Sequence, residues 1–222
     1  MAYNEFTLES VQAQFGLRIH ESDNHFDSAL PSALSQTLQR QLDKYVPLAV
    51  KLHTEKARSE LIVMPVLLEV IEQFPPGAGI FSGVEFSPDP ERNLRGVCDF
   101  LLTLSAQEMT INAPVITVVE AKNDSIKSGW GQCVAEMVAA QTYNSQRELP
   151  LQTIYGAVTT GTNWQFLRLS GTDIFFDGTE RYISQPEKIV GILLMMLRQA
   201  SAEQQVIRER QAEYRFESRV PA

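Results

Sequence analysis

Residues 113–137 read APVITVVEAKNDSIKSGWGQCVAEM, and this stretch decides the fold. Its first half is a run of β-branched residues with no charge until Glu120, the pattern of a strand buried on both faces. The run ends by placing an acid, Glu120, and a base, Lys122, two positions apart. Charges are rarely left in a core without a partner or a task. Beyond a short polar link the pattern changes to a helix over about residues 129–143, and a further apolar strand follows at 153–159. Strand, helix, strand is a crossover, so the centre of the molecule is an α/β arrangement.

Working outward, residues 96–104 read as a strand, joined to the Glu120 strand by the polar stretch SAQEMTINA. An antiparallel hairpin is the simplest reading. If its loop is symmetric about Met109 and Thr110, Asp99 stands across from Glu120, and directly opposed residues have Cβ atoms about 4.5–5.5 Å apart. Lys122, two positions on from Glu120, points to the same side. Further strands are expected at 79–86, 164–169 and 173–176. The N-terminal third reads as helical. TLESVQAQF has a threonine cap, PSALSQTLQRQLDKY opens on Pro31, and a third helix runs from Thr54 to the breaker Pro75-Pro76-Gly77, with Pro65 expected to kink or loosen it. A last helix is expected over about 186–204 or beyond. Its charged tail alternates Arg208, Arg210, Arg215 and Arg219 with Glu203, Glu209, Glu213 and Glu217, a solvated face rather than a phosphate-gripping patch.

The 222 residues, 44% of them hydrophobic, suit one domain: N-terminal helices (about 7–74), a core (about 79–176) and a C-terminal helix (about 186–204). No run approaches the ~20 apolar residues of a membrane helix, and the N-terminus lacks a secretion signal, so no membrane partner and a cytoplasmic location are expected. Cys98 and Cys133 show no metal-ligand spacing and read as small buried hydrophobes. With 19 Lys and Arg against 27 Asp and Glu, the net charge is −8, which argues against coating nucleic acid by bulk electrostatics. A local site remains open, because the Debye length is only about 8 Å at physiological salt.

Two carboxylates as close as Asp99 and Glu120 would be repel strongly unless one is protonated or a cation joins them. Lys122 brings one positive charge, and a hard divalent ion such as Mg²⁺ would bring two more to oxygen ligands. On a helical wheel Glu60 shares its stripe with Met64, Leu67, Ile71 and Phe74, which places it on the face expected to pack on the sheet and within reach of the same ion. Simpler readings exist for each. Glu60 can pair with Lys56 or Arg58 in solvent, Lys122 with Glu120 or Asp124, and Gln132 can be an ordinary polar residue of a first helical turn. Gln132, Glu136 and Tyr143 share a helix side and could line the cleft, whereas Trp130 and Trp164 read as packing.

GVCDFLL, then VITVVEAKND, with Glu60 in a preceding helix and GWGQCVAEM opening the next, resembles the PD-(D/E)XK nuclease superfamily over about residues 60–164. That resemblance implies a restriction-endonuclease-like sandwich, a mixed central β-sheet flanked by helices. It also implies a metal-dependent phosphodiester hydrolase acting on nucleic acid, DNA in preference to RNA. By resemblance Glu60, Asp99 and Glu120 are Mg²⁺ ligands, with Mn²⁺ as a possible substitute, Lys122 is the catalytic lysine and Gln132 contacts substrate. Cys98 stands where the motif's name has proline. The same fold also hosts proteins that bind without cutting. An inactive interaction module is therefore the rival reading, a hydrolase of other phosphate esters is a third, and a homodimer would bring two sites to a duplex.

Overall fold

The computed structural model of the chain describes residues 2–74, 77–105, 109–123 and 125–217. Pro75, Pro76, Asp124 and Arg219, which enter the sequence reading, lie outside the described residues. The chain opens with α1 (Leu8–Phe15), whose cap Thr7 accepts a hydrogen bond from the Ser10 amide. Next comes β1 (Arg18–Asp23), where the sequence predicts only helices. Its stretch RIHESD carries a single aliphatic side chain, so no apolar alternation announces it. What holds it is a parallel partner far downstream, where the Asp173 carboxylate accepts from Arg18 Nε at 2.8 Å and lies 2.7 Å from His20 Nε2.

The helix α2 (Gln36–Leu52) starts later than Pro31, because Ser35 caps it and is itself held by a carboxylate of a later helix. The third expected helix is three segments: α3 (Glu55–Arg58), a π-helical turn (Ser59–Val63) and α4 (Met64–Gln73). The π turn ends two residues before Pro65, which has no N–H to continue the α-helical ladder, so the expected loosening is present.

Then follow β2 (Gly79–Glu85), β3 (Val97–Thr103) and β4 (Val115–Ala121), the helix α5 (Trp130–Gln146), β5 (Thr153–Thr159), β6 (Asn163–Ser170), β7 (Asp173–Asp177), the short β8 (Arg181–Tyr182) and α6 (Pro186–Glu217). The strands form one mixed eight-stranded sheet in the order β1-β7-β6-β5-β4-β3-β2, with β8 beside β6. β4 and β5 are parallel, joined by α5 as the crossover, and β2, β3 and β4 are a meander of antiparallel neighbours.

β4 is buried along its whole length. Val115, Ile116, Val118 and Val119 are each fully buried, worth about 1.5–3 kcal/mol apiece before chain entropy is subtracted. From the helices, α5 packs on β4 and β5, while α4 and α6 pack together and reach β2 and β4. Cys98 and Cys133 are buried thiols within this core, as their spacing suggests, and burial pushes both well above the ordinary thiol pKa. Trp164 is fully buried, and Trp130 is half-buried with its indole N–H on Gln165 Oε1 at 2.7 Å. Among the described residues no helix is long and apolar enough to cross a membrane.

Candidate active site

Away from the loop the hairpin register is the one that loop symmetry predicts: Phe100 pairs with Val119, Leu101 with Val118 and Leu102 with Thr117, whereas beyond a shift at Leu102/Thr103 the next pair is Thr103 with Val115. One further step along that register sets Asp99 opposite Glu120. At this point a side chain continues the ladder, since Asp99 Oδ2 accepts the Ala121 N–H at 2.9 Å. Glu120 is 1% exposed, with Oε1 in an ion pair with Lys122 Nζ and Oε2 accepting from Gln132 Nε2 at 2.9 Å. Lys122 Nζ also donates to Gln132 Oε1 at 3.1 Å. The Gln132 amide is thus clamped at both ends between the acid and the base, and its Nε2 reaches Glu136 Oε1 at 3.0 Å as well.

Gly129 lets the start of α5 come this close, and Gly131 admits the N-terminal segment. A Cβ at Gly129 would stand 2.6 Å from Val158 Cγ1, 3.2 Å from Lys122 Cγ and 3.4 Å from Glu120 Cγ. A Cβ at Gly131 would stand 2.3 Å from the Phe6 carbonyl oxygen, so the N-terminal segment can lie directly across the helix. One expectation is overturned by burial. Glu136 and Tyr143 do not line the cleft: Glu136 has no exposure, and Tyr143 is buried with its hydroxyl on the Ile111 carbonyl at 2.5 Å. Gln132 is 8% exposed and spends its polar atoms inside the cluster.

In front of the cluster opens a cleft of about 390 Å³, lined by Glu55, Ser59, Glu60, Ser82, Asp99 and Ala121 among others. Glu60 and Asp99 therefore face one space, on opposite walls. Glu60 does not pack on the sheet as its stripe suggests; its side chain is 61% exposed and pairs with Lys56 Nζ at 3.0 Å. The π turn is the reason. Its wider winding shifts the phase of the helix between Glu60 and Leu67, so that Ile62, Val63, Val66 and Leu67 point inward and Glu60 does not.

Burial raises the Glu120 carboxyl to about 8, with Asp99 adding to the shift and Lys122 opposing it. Lys122 is pulled down by burial, but the adjacent Glu120 outweighs this and holds the ammonium above its ordinary value. Burial and then Glu120 push Glu136 well above the usual carboxylate range, and its Oε2 has no hydrogen-bond partner. Negative charge at this end of β4 is therefore in excess of what Lys122 neutralises.

No protein-family model, curated protein or solved structure matches the chain. What the site can do thus follows from its own chemistry. Among the described residues no three histidine, cysteine, aspartate or glutamate side chains gather closely enough to hold a metal ion by themselves. The donor set fits Mg²⁺ nonetheless, because that ion is commonly held by one or two carboxylates and completed by water and substrate phosphate. Asp99, in the cleft lining, and Glu120, beside it on the next strand, are the carboxylates that could hold such an ion. The sequence reading did not single out Glu55, which lines the cleft and acts electrostatically on both Glu120 and Lys122. Its position in the first turn of the helix that carries Glu60 was the available signal.

Proposed function

We propose that the chain is a Mg²⁺-dependent nuclease of the restriction-endonuclease-like fold, hydrolysing phosphodiester bonds of nucleic acid, DNA in preference to RNA. The observation that carries this reading is the placing of Asp99 and Glu120 on adjacent strands, in register, with Lys122 ion-paired to Glu120 and a cleft in front. Asp99 and Glu120 would hold the ion, with Glu60 reaching it from the opposite wall through water. When bound, a divalent cation supplies Lewis acidity toward a phosphate oxygen and lowers the pKa of a water, and Mn²⁺ can do the same.

The chain's own groups do the positioning. Lys122 follows Ala121, a residue of the cleft lining, and its ammonium, held by Glu120, would orient the attacking water and meet charge building on the phosphate. Gln132 holds the Lys122 ammonium and the Glu120 carboxyl at a set distance, so that neither wanders when the site is empty of substrate. Asp99 is fixed by the Ala121 amide. A second copy would supply the second cut of a duplex.

The test is hydrolysis of plasmid DNA and of RNA by the purified protein with Mg²⁺ or Mn²⁺. Asp99→Ala and Lys122→Ala should each lose about 10²-fold or more in rate while melting as the wild type does. Wild-type cleavage in both variants overturns the assignment. One observation favours an inactive binding module instead: both Glu120 oxygens are already engaged, by Lys122 and by Gln132. Titration calorimetry with millimolar Mg²⁺ separates the two, since heat that vanishes in Asp99→Ala supports the nuclease and its absence in the wild type supports the module.

A further inference from the structure

A second pocket, of about 430 Å³, lies at the same end of the sheet and is lined by Arg58, Ser125, Lys127, Thr160 and Thr162 among others. We propose that it is a phosphate subsite, taking the backbone phosphate next to the one at Lys122 on a bound nucleic-acid strand. The choice of occupant rests on the nuclease reading, whereas the preference for a phosphate does not.

Arg58 carries the argument. It is 8% exposed, yet among the described residues no carboxylate lies within ion-pairing distance of it. Its Nη1 donates to the Thr160 carbonyl at 2.9 Å and lies 3.5 Å from Thr162 Oγ1, and its Nε has no partner. Neutral acceptors do not neutralise a buried guanidinium, and buried arginines are ordinarily matched with an anion. Its Nε is itself buried, so it is the Nη end of the guanidinium, lining the pocket with no carboxylate beside it among the described residues, that suits the oxygens of a phosphate.

The remaining lining has the same bias. Lys127 is exposed at the rim and Ser125, Thr160 and Thr162 contribute hydroxyls. The acid among the described lining residues, Glu180, accepts from Asn163 Nδ2 at 3.2 Å. Among the described lining residues two cations, Arg58 and Lys127, stand against one carboxylate, on a chain of net charge −8.

Position decides the occupant. Ala121 lines the cleft and Asn123 lines this pocket, with Lys122 between them. The Lys122 N–H donates to the Thr159 carbonyl at 2.8 Å, which ties Lys122 to the turn carrying Thr160 and Thr162. On the helical side Glu55, Ser59 and Glu60 face the cleft while Arg58 faces the pocket. A strand crossing the Lys122 ridge meets the cleft on one side and Arg58 on the other.

The experiment measures binding of a fluorescein-labelled single-stranded DNA hexamer by anisotropy, in EDTA so that cleavage plays no part. Lys127→Gln and Thr162→Val alter the pocket rim without emptying the core, and Arg58→Lys keeps the charge while losing the fork. Lys127→Gln and Arg58→Lys should each weaken binding about 3- to 10-fold, and Lys127→Gln should lower the salt slope by about 1. A hexamer with one neutral methylphosphonate linkage should lose a similar factor in the wild type and no more in Lys127→Gln. Wild-type affinity in folded Lys127→Gln and Thr162→Val overturns the subsite, as does equal loss with the methylphosphonate in every variant. If these losses appear but the wild type cleaves nothing with Mg²⁺, the nuclease reading fails and the phosphate subsite stands. If cleavage occurs and the pocket variants bind normally, the subsite alone fails.

Discussion

Glu136 is the residue with the most unusual surroundings: a carboxyl with no exposure, one oxygen on Gln132 and the other without a partner. Its folded pKa is raised above the unfolded value of about 4.3. A group shifted in that direction contributes its full stability below the unfolded pKa and loses it as pH rises through the folded one. Glu136→Gln removes the ionisation. The variant should fall within about 1 kcal/mol of the wild type near pH 5 and lose less stability than the wild type by about pH 8.5. Urea denaturation at both pH values checks this, and a penalty independent of pH would show that Glu136 is not a neutral acid in the fold. The same residue shows why side-chain roles in α5 were hard to read. Helical spacing correctly separates Gln132 and Glu136 from Val134 and Met137, but the polar face turns inward onto Glu120 of β4, a contact set by tertiary packing.

Between elements, a comparable dependence joins α2 to α4. Glu69, 4% exposed, accepts from the Ser35 N–H at 2.7 Å, the Ser35 hydroxyl at 2.6 Å and Gln73 Nε2 at 2.6 Å, while Ser35 Oγ caps α2 through Leu38 N at 3.1 Å. Glu69→Ala should therefore cost about 2–4 kcal/mol, and Ser35→Ala about 1–2 kcal/mol. In a double-mutant cycle the two should couple by about 1 kcal/mol or more. Simple additivity would mean that α2 is capped independently of α4. The late start of α2 after Pro31 has this cause, and nothing within PSALSQ discloses it. The π turn is the other element-scale feature hidden from a regular wheel. Pro65 announces a fault in the helix but not its phase, and the phase sends Glu60 to the surface.

At the scale of the whole molecule, acidity and nucleic-acid binding are compatible only if few cations meet the strand. Lys122, Arg58 and Lys127 are the candidates, which implies a salt slope for DNA binding of about −2 to −3. Between about 50 and 200 mM salt the affinity should fall roughly 16- to 64-fold, and a slope near −6 in fluorescence titrations would require a basic track that these residues do not make. The sequence by itself determined the α/β class, the hairpin with its register, and the crossover through α5, because a β-branched run, a polar loop and a helical period are local patterns. It also placed Asp99, Glu120 and Lys122 together, since a strand register carries that information across one turn. Only the tertiary structure decided the rest. β1 exists because Asp173 and Phe175 receive it, with the His20 and Phe175 rings stacked at 4.5 Å. Gln132 is a clamp because Gly129 lets the start of a helix reach the sheet, and Arg58 faces a pocket because a π turn and a distant loop meet there. Those contacts join residues far apart along the chain, and their energy depends on burial and distance, which no local pattern encodes.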